Sequence, residues 1–236
     1  MGFWLGNPGL AGKRTFRNDS PTQSVRPIAI EALGKTDDTS AYVYLSDGGH
    51  FDNFGLYEMI LRRCRFIVVS DASTDPNYCY ESLAGAIRQI RIDFGVPIVL
   101  RTALLAGARP EPVKVMGMRF GNDPEKRNKY CAVFDIRYSC VDKPDYEADA
   151  RAVNYDGVLI YIKPTLDGSE PADVLNYHKL DGAFPEDTIV DQWFSEPQFE
   201  SYRMLGSHMV DKIRGDAARG SFREFEDNAL RLFREQ

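Results

Sequence analysis

Histidine is scarce in this sequence: there are three, His50, His178 and His208, among 236 residues. No two stand four residues apart and none has a cysteine at zinc-ligand spacing, which excludes the common zinc patterns. The four cysteines, Cys64, Cys79, Cys131 and Cys140, form no Cys-x-x-Cys pair and are too sparse for a disulfide scaffold. They read as reduced thiols in or near a core, in a cytoplasmic setting. No apolar run approaches the roughly 18 residues of a membrane-spanning helix. The N-terminus has no basic region, apolar segment or cleavage site of a signal peptide, and Gly6 stands where myristoylation needs Ser or Thr. Basic residues are outnumbered, 29 Lys and Arg against 35 Asp and Glu, for a net charge of −6. Nucleic-acid binding, which needs clustered Lys and Arg, is not expected.

What is present is the composition of a folded α/β chain, 43% hydrophobic and 27% charged. Residues 1–40 read as an irregular N-terminal segment, with a short apolar stretch at Phe3-Trp4-Leu5 and a short element near Ile28–Leu33. The run 41–46 has no polar face and predicts a strand buried on both sides. A helix follows near 55–64, capped by Asn53, with Leu56, Met59, Ile60 and Cys64 on one stripe. A second buried strand at 65–70 ends in Ser70-Asp71. The helix at 80–94 carries Leu83, Ala86, Ile87, Ile90 and Phe94 at helical spacing, and Gly95 ends it before a strand at 97–100. The order β-α-β-α-β predicts a mostly parallel sheet flanked by helices. Strand-like runs at 113–120, 131–139 and 158–163 follow, then an irregular stretch from Pro164 to Pro197. Two helices, 197–213 and 221–235, close the chain.

Two apparent motifs fail on their own chemistry. Asn7 to Arg14 lacks the first Gly of a phosphate loop at Asn7 and its Ser or Thr at Arg14. Asp71 to Ser82 has alternating oxygen ligands, but Pro76 and Ser82 stand where a calcium loop needs Gly and Glu.

The informative segment is Asp47-Gly48-Gly49-His50-Phe51-Asp52-Asn53. Asp47 closes an apolar strand, and in open α/β sheets ligands bind at that edge. Two glycines let another backbone come close. The residues alone leave several readings open. Asp47 is a base for a hydroxyl nucleophile, a metal ligand, or one residue of an ordinary strand-to-helix turn. His50 touches substrate or belongs to the loop, and Asp71 faces the same crevice or leads into the next helix. Phe194, Phe199 and Tyr202 line a groove or fill a core.

Asp-Gly-Gly after an apolar strand, with His50-Phe51-Asp52-Asn53 and Gly55-Leu56-Tyr57-Glu58, resembles the Asp half of a bacterial patatin-like phospholipase. The resemblance extends through Ser70-Asp71-Ala72, Ile90–Gly95, Tyr161–Pro164, Glu170–Tyr177, Asp191–Phe194 and Gln198–Arg203, over roughly residues 41–206. It implies a serine lipid acyl hydrolase with a Ser-Asp dyad and no His. Asp47 would be the dyad base, Gly48 and Gly49 its turn, and His50 and Asn53 loop residues near substrate. No cofactor is implied, and the substrate is a lipid or other acyl ester.

No serine here lies in Gly-x-Ser-x-Gly, and no glycine-rich oxyanion loop is present. The expectation is therefore the C-terminal part (41–236) of a larger hydrolase, inactive alone and cytoplasmic or membrane-associated through a further N-terminal part. A complementing N-terminal segment, a second copy and a membrane surface are its expected partners. Two rival readings remain: an Mg-dependent hydrolase built on Asp47 and Asp71 with Asp52 or Asp75, and a non-catalytic module that pairs an open sheet edge with another polypeptide.

Overall fold

The computed structural model describes residues 3–8, 14–23, 25–37, 39–101, 130–142, 155–188, 190, 192–215 and 220–235. The chain divides into two compact units, Met1–Asn53 and Phe54–Gln236.

In the first unit, β1 (Phe3–Gly6) pairs antiparallel with β2 (Tyr42–Leu45), placing Trp4 opposite Tyr44 and Leu5 opposite Val43. The Trp4 and Tyr44 rings lie 5.2 Å apart. The short apolar stretch at the N-terminus is thus the partner strand of β2. Polar bonds tie this ribbon to its surroundings: Asn7 Nδ2 donates to the Ser40 carbonyl at 2.7 Å, and Thr15 Oγ1 to that of Ala41 at 2.7 Å. Helix α1 (Val25–Ala32) covers the short element expected near residue 28.

Here the structure corrects the expected environment of β2. It is not a buried member of a parallel sheet: Tyr44 and Leu45 are exposed. A strand rich in β-formers takes the nearest apolar strand as partner, and a two-stranded ribbon covers little of either face.

The second unit is a three-layer sandwich. Its sheet runs β3-β6-β5-β4, from β3 (Phe66–Ser70), β6 (Gly157–Ile162), β5 (Cys131–Ile136) and β4 (Ile98–Leu100). β3 and β6 are parallel, with Phe66 opposite Val158. β6 with β5 and β5 with β4 are antiparallel. The α/β class holds, but the expected mostly parallel sheet is corrected to one that is mostly antiparallel among the described strands. A central strand covered on both faces reads as one apolar run in either direction, so burial pattern does not encode strand polarity.

Alternation along the central strands sends side chains into two cores. On one side, Ala132, Phe134, Ile136, Leu159 and Tyr161 pack with helix α2 (Leu56–Leu61) and helix α3 (Glu81–Phe94), through Leu56, Ile60, Leu83, Ala86 and Ile90. On the other, Cys131, Val133, Ile160 and Ile162 meet helices α4 (Ala172–Leu180), α5 (Glu196–Arg214) and α6 (Phe222–Glu235), through Val174, Leu205, Met209, Ile213 and Ala229. Gly95 ends α3 with left-handed backbone, φ 67°. Ser195 and Gln198 form a reciprocal capping box at the start of α5. Arg101 ties the third layer to the sheet, pairing with Asp135 of β5 at 2.7 Å and Glu226 of α6 at 2.5 Å.

Helix α4 lies inside the stretch expected to be irregular. The expected strand at 113–120 lies outside the described residues. All four cysteines are free; Cys131 is buried and Cys64 half-buried, but Cys79 and Cys140 are exposed, which corrects their expected placement in or near the core. No helix among the described residues is long and apolar enough to cross a membrane.

Leu159 is fully buried where β6 meets α2 and α3. Leu159→Ala is expected to destabilise the protein by about 3 kcal/mol, read as a lower urea midpoint with an unchanged slope.

Candidate functional site

Asp47, Gly48, Gly49, His50 and Asn53 come together in one exposed turn directly after β2. Gly48–His50 forms a single 3₁₀ turn, and Asp47 caps it: its Oδ1 accepts from the Gly49 N–H at 2.8 Å. This fixes the carboxylate relative to its own backbone. A Cβ on Gly49 would sit 2.5 Å from Asn53 Oδ1 and 3.2 Å from Asp47 Oδ1. A larger residue at that position would have to displace the Asn53 side chain. Ser46 Oγ lies 2.6 Å from His50 Nδ1, closing a clip across the turn. Ser46 had no motif to mark it.

Two sequence expectations are corrected at this turn. Asn53 does not cap α2; Gly55, in left-handed backbone at φ 66°, takes that position, and the Asn53 side chain lies against Gly49 instead. The strand that Asp47 follows is also not one of a parallel sheet but half of a two-stranded antiparallel ribbon, because β2 pairs with β1.

The carboxyl edge of the parallel pair holds a different set of residues. Asp71 follows β3 and Lys163 follows β6, and both are buried. Asp71 Oδ1 accepts from Ser73 through its N–H at 2.8 Å and its hydroxyl at 2.5 Å, while Oδ2 accepts from the Tyr161 hydroxyl. Lys163 Nζ donates to the Ser73 carbonyl at 2.8 Å, pairs with Glu186 Oε1 at 3.2 Å and lies 5.8 Å from the centre of the Tyr78 ring. Glu186 Oε2 accepts from the Asp75 N–H at 2.5 Å. Asp75 in turn accepts from the N–H groups of Cys79 and Tyr80, at 2.9 and 2.7 Å.

Those bonds hold Tyr78 and Tyr80 in left-handed backbone, φ 50° and 55°, which costs on the order of 1–3 kcal/mol per residue. Burial drives the Tyr78, Tyr80 and Tyr161 phenols well above the ordinary tyrosine range. Burial likewise pushes the Glu186 carboxyl up, against the Asp75 N–H and Lys163, which favour its charged form.

This network was not anticipated from sequence, although Lys163 at the end of an apolar run was a usable signal. A charge so placed has to find a partner. Asp71 proves to be neither an open crevice residue nor the cap of α3; Tyr80 holds the cap position. The residues of the magnesium reading fall in both units, Asp47 and Asp52 in the first, Asp71 and Asp75 in the second. Every carboxylate oxygen of Asp71 and Asp75 already accepts from an N–H or O–H. Asp167, Glu170 and His208 gather within 4.8 Å. There, however, the Glu170 oxygens accept from the Asp167 and Gly168 N–H groups, and His208 meets the Ser169 hydroxyl at 3.0 Å. The donors of a capped turn account for that cluster. Phe194 and Tyr202 stack at 5.5 Å, and Tyr202 packs on Phe184, while Phe199 is exposed.

Comparison with protein-family models, with curated proteins and with solved structures finds no match to this chain.

Replacing Lys163 by Met leaves Glu186 buried without its cation. Lys163→Met is expected to cost about 3–5 kcal/mol, measured by chemical denaturation. Because the folded Glu186 pKa is raised, its contribution is complete below the ordinary carboxyl range and is lost as pH rises through the raised value. The stability of the wild type relative to Glu186→Gln should therefore be greatest in acid and shrink towards neutral pH, in paired denaturation curves across that range.

Proposed function

We propose that this chain supplies the carboxylate half of a patatin-like serine acyl hydrolase acting on lipid or other acyl esters, with Asp47 as the proton acceptor. The observation that supports this reading is the turn after β2. One Asp47 oxygen is fixed by the Gly49 N–H while the residue remains exposed. A carboxylate so held is available to accept the proton of an approaching hydroxyl. The open space beside Gly48 leaves room for a second backbone to reach it, and Asn53 and the Ser46–His50 clip set the shape of the loop.

In the reaction this implies, a serine hydroxyl on another polypeptide segment gives its proton to Asp47 as its oxygen attacks the ester carbonyl. The tetrahedral intermediate then collapses, the proton passes to the leaving alkoxide, and the released alcohol leaves an acyl-serine. Water, giving its proton to the same carboxylate, attacks that ester; the bond to the serine oxygen breaks, Asp47 returns the proton to it, and the acid is released. The turn offers a base and a loop; the nucleophile and the oxyanion donors come from the complementing segment.

The chain alone is expected to show no turnover of a short p-nitrophenyl ester and no labelling by a fluorophosphonate. Co-expression with a polypeptide carrying Gly-x-Ser-x-Gly on a strand-turn-helix is expected to restore turnover. Asp47→Asn should then lower it by about 10²–10⁴-fold, whereas Asp71→Asn, judged on the folded fraction, should leave the dependence on Asp47 intact. Turnover that is indifferent to Asp47→Asn would refute the assignment and leave a non-catalytic module.

A further inference from the structure

The two ends of the four-stranded sheet are unlike. β4 is three residues long and starts directly after Pro97, and shortness and proline both blunt an edge. β3 has neither device. Its five residues, Phe66-Ile67-Val68-Val69-Ser70, include no charge, proline or glycine. Among the described residues it has a neighbouring strand on one side only, β6.

Two bonds to β6 fix which way the β3 backbone faces. The Val158 N–H donates to the Arg65 carbonyl at 2.8 Å, and the Asp71 N–H to the Ile162 carbonyl at 2.8 Å. Ladder groups alternate sides along a strand. Residues 65, 67, 69 and 71 therefore face β6, and Phe66, Val68 and Ser70 turn their N–H and C=O groups outward. Among the described residues none of these outward groups has a partner. The side chains of Phe66 and Val68 lie on the face of α5 and α6. There they line a groove of about 530 Å³ with Val210, Phe222 and Phe225. Phe66 and Phe222 pack with ring centres 4.9 Å apart, and Val68 is 46% exposed.

This edge is complementary to itself. Antiparallel pairing about a two-fold axis at Val68 sets Val68 opposite Val68, Phe66 opposite Ser70 and Arg65 opposite Asp71. The outward residues are evenly spaced about Val68, so each of their pairs exchanges both ladder bonds and no outward group is left over. Opposite charges meet at the two ends, and no like charges face one another. Residues directly opposed share a face of the sheet, so the two Val68 side chains cover each other and the two grooves adjoin. A second copy supplies this match by symmetry alone, whereas a foreign strand has to supply it from its own sequence.

We infer that the free edge of β3 is a dimer interface, at which two copies of this chain pair antiparallel about Val68 and join their sheets into one. The inference rests on the backbone of the second unit and not on the ester-hydrolase reading, so either can fail alone.

Sedimentation of the full chain at micromolar concentration is expected to give twice the mass of one chain, falling towards one chain on dilution. Amide exchange followed by NMR is expected to show the alternation. The Phe66, Val68 and Ser70 amides should be protected in the dimer and lose protection on dilution, while Ile67 and Val69, bonded to β6, stay protected in both. Val68→Pro removes an outward N–H and no bond to β6, and Val68→Lys places a charge on each side of the axis. Each should weaken association by about tenfold or more at unchanged far-UV circular dichroism, whereas Val68→Thr should leave the dimer intact. A chain that stays monomeric at micromolar concentration overturns the inference, including one that pairs only with a complementing strand. So does a dimer whose Phe66, Val68 and Ser70 amides exchange as fast as in the monomer, or one that survives both Val68→Pro and Val68→Lys.

Discussion

The second unit depends on a single constraint: β5 and β6 are covered on both faces. Their strict alternation sends Phe134, Leu159 and Tyr161 one way and Val133, Ile160 and Ile162 the other. With both faces apolar, neither strand can slip by one residue without exchanging two sets of side chains between differently shaped cores. The helices have no such fixed frame of their own. α2 and α3 acquire their places from the first set, and α4, α5 and α6 from the second. Arg101, bridging Asp135 and Glu226, then clamps the last helix to the sheet.

Much of this was legible in the sequence where one side-chain period dominated. The Leu83, Ala86 and Ile90 stripe located α3, and the Leu205, Met209 and Ile213 stripe located α5. Gly95 marked the end of α3 because no other residue takes left-handed backbone so cheaply. Strand direction was not legible, since a doubly covered strand is apolar throughout whichever way it runs. Helix α4 was missed because it buries little: only Val174 is fully enclosed, and the prolines around it imitate a loop. The partner of β2 was hidden as well, since a three-residue apolar stretch gives no period to read.

The candidate site divides along the same line. The turn at Asp47 is local, and Asp-Gly-Gly announced it, because a short acidic side chain followed by glycines is what closes such a bend. The Lys163, Glu186 and Asp71 network is non-local. It joins segments that follow two strands and a helix, and only the fold brings them within reach. Sequence exposes chemistry held within a few residues; chemistry assembled across a sheet edge becomes visible only once strand order is known. The two polar groups also differ in physical character. Asp47 keeps access to water, whereas Lys163 and Glu186 have surrendered theirs and act as an internal fastening between the loop after β3 and the segment before α5.

The parallel pairing of Phe66 with Val158 has a kinetic consequence. β3 emerges from the ribosome early, but the strand it needs is made much later, after β4 and β5. Until then its ladder groups lack that partner, and Ile67 and Val69 have α2 and α3 to pack against. Antiparallel neighbours form sooner, because β5 and β6 stand closer in sequence and pay less loop entropy to meet. Nascent chains should thus carry an unsatisfied strand through most of synthesis, the state in which chaperones engage a polypeptide.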